Sequence, residues 1–251
     1  MEKTGQVTLE VDQHIGIIRI DNPPGNYLVR PEFIPREILH QWIEESQLKG
    51  IVISGTGKHF SGGADLEALF SLSGDSAILE TEMIKGIELL HFIEDLDIPV
   101  LAAINGICFG GGLEIALACH MRICSTNALF AFPEVNHGII PGLGGIKRIN
   151  ELSTIHEALK FILSGDMINA DEAKTMKLVD LILPDEELIS YSLTLLRKMT
   201  SDRNIKVINY VMKAIHNTRK MNQEEALREE TRMFCELAQE ERRRRAMSNE
   251  Q

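Results

Sequence analysis

Twice in this chain a short, unbroken apolar stretch leads straight into a glycine-rich loop and then into a helical pattern, and this recurrence constrains the fold more than any other feature. The first stretch is Gly50-Ile51-Val52-Ile53-Ser54-Gly55, and the second is Pro99-Val100-Leu101-Ala102-Ala103-Ile104-Asn105-Gly106. Neither alternates apolar with polar residues, so each reads as a strand buried on both faces. Such a strand followed by a helix belongs to a parallel α/β sheet, because the helix carries the chain back across the sheet to begin the next strand. No exact internal repeat accompanies the recurrence.

The remaining segments fit around this unit. From Val7 to Asp21 apolar and polar residues alternate with a break at Asp12-Gln13, which predicts two short strands and a turn, ended by Pro23-Pro24-Gly25-Asn26. Helical spacing covers residues 35–48 and 76–95. Beyond residue 143 helical patterns dominate, near 144–163, 171–177, 186–199, 202–217 and 223–242, and only Leu178-Val179-Asp180-Leu181-Ile182-Leu183 reads as a strand. The simplest organisation is a sheet-containing core followed by a smaller helical region with too little sheet to stand alone, of the kind that commonly packs on a neighbouring subunit. Arg242, Arg243, Arg244 and Arg245 form a basic cluster expected at a solvated helix end.

With 251 residues the chain can bury a full core without disulfide or metal staples. Its 26 Lys plus Arg against 37 Asp plus Glu leave a formal charge of −11, the wrong sign for displacing counterions from duplex phosphate. Nucleic acid is therefore not an expected partner, whereas an anion held by backbone N–H groups remains open. Cys108, Cys119, Cys124 and Cys235 occur in no metal-ligand spacing and sit mostly among apolar residues, so buried reduced thiols and no metal are expected. Met1-Glu2-Lys3-Thr4-Gly5-Gln6 lacks the apolar core of a signal peptide. No run approaches the ~18 apolar residues of a membrane span. The expectation is a soluble, cytoplasmic protein that engages no membrane.

Chemistry concentrates in the two glycine-rich loops. Gly55-Thr56-Gly57-Lys58-His59-Phe60-Ser61-Gly62-Gly63-Ala64-Asp65-Leu66 has neither the spacing of a Walker phosphate loop nor, with Phe60 where the last glycine would fall, that of a dinucleotide fingerprint. Asn105-Gly106-Ile107-Cys108-Phe109-Gly110-Gly111-Gly112-Leu113-Glu114 places three glycines just before a helix, where free N–H groups can approach a ligand closely. One N–H from each loop aimed at a single oxygen would make an oxyanion hole; tight turns and close helix packing explain either loop taken alone. Glu114 sits at the start of an apolar helix, a place that also suits a capping charge. Glu134, in Phe130-Ala131-Phe132-Pro133-Glu134-Val135, is either a surface loop charge or a carboxyl whose pKa desolvation raises. Two carboxylates in unlike surroundings can divide acid and base duties. His59 and His137 flank the motifs without a triad partner, Asp65 is placed to cap the helix after it, and Cys108 lies close to the triple glycine.

Ser61-Gly62-Gly63-Ala64-Asp65-Leu66, then Ala102-Ala103-Ile104-Asn105-Gly106 leading to Gly110-Gly111-Gly112-Leu113-Glu114, then Phe132-Pro133-Glu134 with Gly138-Ile139-Ile140-Pro141-Gly142-Leu143-Gly144-Gly145, closely resemble the crotonase (enoyl-CoA hydratase/isomerase) superfamily. Ser164 to Ala173 and Leu178-Val179-Asp180 extend the likeness over nearly the whole chain. The resemblance implies an α/β spiral core of ββα units over residues 1–190, completed by a C-terminal helical trimerisation region over residues 191–251, assembled as a homotrimer or homohexamer. It implies an acyl thioester substrate whose enolate oxygen is held by the Ala64 and Gly111 amides, with Asp65 and Leu66 lining the substrate path. Glu114 is then assigned to water activation and Glu134 to protonation of the α-carbon, so that a 2-enoyl thioester is reversibly hydrated.

Coenzyme A or phosphopantetheine enters as substrate carrier, with no resident cofactor. Residues 26–60 are several positions shorter than is usual in such proteins and are interrupted by Pro31 and Pro35, and Met247-Ser248-Asn249-Glu250-Gln251 lacks an aromatic, lysine-rich extension. An acyl carrier protein as the partner in place of CoA is the alternative, with Arg242–Arg245 available to carrier phosphate. An isomerase or decarboxylase, or a non-catalytic scaffold on the same fold, are the competing activities.

Overall fold

The computed structural model describes residues 2–72 and 74–248. Met1 and residues 249–251, the outer ends of the two expected regions and of the Met1–Gln6 and Met247–Gln251 segments, lie outside the described residues. The chain opens with β1 (Glu2–Thr4), β2 (Val7–Asp12), β3 (Ile15–Ile20), α1 (Arg36–Glu45), β4 (Gly50–Gly55), α2 (Leu66–Leu72) and α3 (Ser76–Glu94). Then come β5 (Val100–Ile104), β6 (Ile107–Phe109), α4 (Gly111–Ala118), β7 (Met121–Ser125), β8 (Leu129–Ala131) and a 3₁₀ turn at Pro133–His137. The last stretch holds α5 (Gly145–Leu152), α6 (Ile155–Ser164), β9 (Ile168–Asn169), α7 (Ala170–Thr175), β10 (Leu181–Leu183), α8 (Leu188–Thr200), α9 (Ile205–Lys220) and α10 (Gln223–Ser248).

The main sheet has the order β1-β2-β3-β4-β5-β7-β10. Its first three strands are antiparallel and every later pairing is parallel. Successive residues of a strand point to opposite faces, and both faces are covered. Ile51 and Ile53 of β4 and Val100, Ala102 and Ile104 of β5 join the larger core, with Leu39 of α1, Leu89 of α3 and Leu113 of α4. Val52, Leu101 and Ala103 face the other way, onto Leu188 and Leu196 of α8. Double coverage is the reason these strands read as unbroken apolar runs. Helix α8 also spans the expected boundary at residue 190.

A second, smaller layer runs β6-β8-β9, extended by parallel bridges from Cys108 to Ser61 and from Ala64 to Leu28. β3, β4, β5 and β7 thus each lead through a short second-layer segment into a helix or, after β7, into the 3₁₀ turn, and the chain forms the spiral of ββα units that the resemblance implies. The expected helix at 144–163 is two helices. Ser153 is extended (φ −118°, ψ −177°), and Thr154 with Glu157 forms a capping box that starts α6. The expected strand at 178–183 is confined to β10, β9 precedes it, and the last helix runs on to Ser248. Cys108, Cys119 and Cys124 are buried as expected, but Cys235 is exposed, because its face of α10 covers no core.

Candidate active site

The two glycine-rich loops meet where the second layer turns into its helices. Leu28 N–H donates to Gly63 O (2.8 Å) and Asp65 N–H donates to Leu28 O (2.9 Å), so the ladder takes the Gly63 carbonyl and the Asp65 N–H, and the Ala64 N–H, trans to that carbonyl, is directed away from it. Gly63 (φ +88°) and Gly110 (φ +49°, ψ −123°) hold conformations costly for residues with a side chain, and each turns the following amide, Ala64 or Gly111, outward. A Cβ on Gly111 would lie 3.8 Å from Ala64 N, so the two amides are neighbours. Neither has a hydrogen-bond partner among the described residues.

Both amides open into a cavity of about 810 Å³. Ala64, Asp65, Leu66, Gly111, Glu114 and Glu134 all line it, so the structure brings every site residue named from the sequence to one place. Leu69, Phe70, Leu79, Met83, Ile139 and Ile140 give it an apolar wall. Asp65 also caps α2, its Oδ1 accepting from Ala68 N–H (3.1 Å).

The two carboxyls differ in their surroundings. Glu114, in the first turn of α4, is 2% exposed, and its Oε1 accepts from Leu143 N–H (2.7 Å) and Gly145 N–H (2.8 Å). Burial raises its pKa above the usual carboxylate value, while those two N–H groups and the nearby Arg148 charge oppose the rise. Glu134, in the 3₁₀ turn, has its Oε2 buried with no partner among the described residues. Burial first, and then repulsion by Glu114, push it up to about 7 against the stabilising effect of its own N–H. Its carboxyl lies against Gly110, where a Cβ would come within 2.7 Å of Oε1.

Of the other candidates, His59, Cys108 and the arginine cluster lie apart from this arrangement, and His137 borders it. His59 Nδ1 accepts from Ile107 N–H (3.2 Å) and supports the second layer. Cys108 is wholly buried, its thiol pKa raised well above the ordinary value by burial. His137 lines the cavity at an exposed position. Arg244 and Arg245 pair with Glu241 near the end of α10, and none of the four arginines lines the cavity. Among the described residues no cluster of three or more His, Cys, Asp or Glu is arranged for a metal ion, and no helix is long and apolar enough to cross a membrane.

Sequence reasoning passed over the residues that hold the loops. Asn26, fully buried, donates from Nδ2 to Thr56 O (2.9 Å) and His59 O (2.7 Å). Ser61 Oγ donates to Asn26 O (2.8 Å) and accepts from Gly63 N–H (3.1 Å), which fixes the turn before Ala64. The hint was Asn26 itself, a residue that tolerates positive φ at the end of a proline-glycine turn; here its φ is 51°.

A family model described as enoyl-CoA hydratase/isomerase matches residues 10–250. The chain belongs to the enoyl-CoA hydratase/isomerase family. Within it, a probable enoyl-CoA hydratase of Bacillus subtilis is 33% identical over 240 residues, covering 94% of this chain and 91% of that protein. A glyoxysomal fatty acid beta-oxidation multifunctional protein of Cucumis sativus is 39% identical over 189 residues, 74% of this chain but only 26% of that longer protein. The crystal structure of an enoyl-CoA hydratase from Bacillus anthracis superposes with a TM-score of 0.83 at 27% identity, covering 92% of this chain and 90% of that one. This family member therefore shares with its relatives both sequence and the spiral fold.

Proposed function

We propose that the protein reversibly adds water to a 2-enoyl thioester. The observation that carries this reading is a pair of carboxyls in unlike electrostatic states, facing the same cavity as two unpartnered amides. As water adds to the β-carbon, Glu114 takes its proton through the oxygen left free by the Leu143 and Gly145 amides. Negative charge develops on the thioester oxygen and is met by the Ala64 and Gly111 N–H groups. Glu134, whose raised pKa of about 7 lets it keep a proton far more readily than an ordinary carboxyl, gives that proton to the α-carbon. Asp65 and Leu66 line the path of the thioester. Coenzyme A or phosphopantetheine travels with the acyl group, so the reaction calls for no resident cofactor or metal.

The test compares crotonyl-CoA, followed by loss of its conjugated enoyl absorbance, with a 3-enoyl thioester. Hydration of the first without a double-bond shift in the second supports the reading; the reverse pattern assigns isomerisation. Calorimetry with acetoacetyl-CoA, an acyl-pantetheine and an acylated carrier protein separates a CoA enzyme from a carrier-protein enzyme. Binding of none would mark a scaffold.

A pH dependence follows. In either direction the pair must hold one proton, so kcat/KM is expected to be bell-shaped. Glu134 has a raised pKa, so its proton is present below about 7 and is lost above it, which places the alkaline limb near 7. The acid limb belongs to protonation of Glu114. A profile flat from about pH 6 to about pH 9 would contradict the assignment of Glu134 as acid.

We also propose a homotrimer or homohexamer. Val211, Ile215, Leu227 and Phe234 of α9 and α10 are large apolar side chains left exposed on the C-terminal helices. Light scattering is expected to give a mass three or six times 28.2 kDa, and a stable monomer would refute the assembly.

A further inference from the structure

We propose that Arg148, anchored by Glu94, is a positioning residue for Glu114. The catalytic consequence rests on the hydratase reading; the grip on Glu114 does not. Arg148 is 4% exposed. Its Nε and Nη2 donate to the two oxygens of Glu94 (2.8 and 3.0 Å), a two-pronged match of guanidinium to carboxylate. Its remaining arm, Nη1, donates to Leu143 O (2.6 Å). The N–H of the same Leu143 donates to Glu114 Oε1 (2.7 Å), and Gly145 N–H reaches that oxygen as well (2.8 Å). Residue 143 is thus held from both sides, by the arginine at its carbonyl and by the carboxylate at its amide.

The loop between them is shaped for the guanidinium. Gly144 has φ +92°, and a Cβ there would stand 2.8 Å from Arg148 Nη1. Glu94 is the last residue of α3, and its carbonyl accepts from His120 Nε2 (3.1 Å), while His120 Nδ1 accepts from Val100 N–H at the start of β5 (2.9 Å). Burial keeps His120 neutral, its pKa pushed down to about 4, which suits this pair of bonds. The carboxylate of Glu114 is therefore referred back, through Leu143, Arg148 and Glu94, to the frame of the main sheet.

An ion pair between a buried arginine and a partly exposed glutamate contributes little stability that an apolar pair of similar volume would not. What an apolar pair lacks is a third arm for the loop and a positive charge beside Glu114. The charged groups facing Glu114 are Arg148 from α5, with Glu94 of α3 behind it, and Glu134 from the 3₁₀ turn. Arg148 favours the ionised form that water activation requires, and Glu134 opposes it when ionised.

The experiment uses Arg148→Met and Arg148→Lys, with Glu114→Gln as reference. Two quantities are read: kcat and KM for crotonyl-CoA, and the titration midpoint of the Glu114 carboxyl by isotope-edited infrared difference spectroscopy, assigned by its loss in Glu114→Gln. In Arg148→Met the midpoint is expected to rise by about one unit or more. Its kcat is expected to fall about tenfold or more with KM little changed, since the carboxylate is both displaced and less often ionised. Arg148→Lys keeps the charge but cannot reach Glu94 and Leu143 together. It should lower kcat while leaving the midpoint closer to that of the parent, and it carries the test should the methionine variant fail to fold. Two folded variants with parental kcat and midpoint would overturn the proposal. So would losses of kcat that track melting temperature with the midpoint unmoved. A raised midpoint in Arg148→Met together with full hydratase activity in Glu114→Gln would leave the grip standing and overturn the hydration reading.

Discussion

Glu114→Gln and Glu134→Gln are each expected to lower kcat for crotonyl-CoA hydration by at least ~10²-fold, the lower end of the range for losing a general acid or base. Thioester affinity should change little, because the oxygen of the substrate is held by backbone groups. The glutamine at 114 keeps an acceptor for the Leu143 and Gly145 amides, so the loop is retained and the loss reflects proton transfer. At 134 the substitution removes a titrating group with a pKa near 7, and the alkaline limb of kcat/KM should disappear with it. Hydration requires an activated water as well as a proton donor, whereas a double-bond shift can run on one carboxyl that moves a proton between carbons. The same variants assayed on a 3-enoyl thioester separate these cases. Full activity in Glu114→Gln, with loss confined to Glu134→Gln, would overturn hydration and assign isomerisation.

What could be read from the chain beforehand follows physical lines. β4 and β5 were legible because helices cover both their faces and force six and five consecutive buried positions. The second-layer strands β6, β8 and β9 are three, three and two residues long, too short to display a period, and exist through pairings such as Ile107 with Leu129. The break between α5 and α6 was written in Thr154 and Glu157, but the apolar spacing on either side of it concealed the stop. At the site, the carboxyls and donors became legible as members of family motifs and not from composition. Glu94 and Arg148 lie 54 positions apart, and no local pattern announces that they meet. Cys235 shows the same limit from the other side, since apolar neighbours in sequence do not bury a residue on an outward helix face.

Replacing Gly63 by alanine should cost catalysis far more than its effect on stability would suggest. At φ +88° an alanine is strained by about 1–2 kcal/mol, and its Cβ would stand 2.7 Å from the Phe109 carbonyl, a backbone atom that cannot swing aside. Relief requires the 61–65 turn to rotate, and the first group displaced is the Ala64 amide. Loss of one such donor costs on the order of 10²–10³ in rate, so kcat for crotonyl-CoA should fall by about that factor. Gly57→Ala supplies the control. It lies in the same loop at φ +76°, a Cβ there meets nothing within 4 Å, and it does not line the cavity. It should therefore show the strain in urea denaturation while keeping its activity. Equal losses of stability in the two variants, with full activity in both, would remove Ala64 from the oxyanion site and leave the Gly111 amide without its partner.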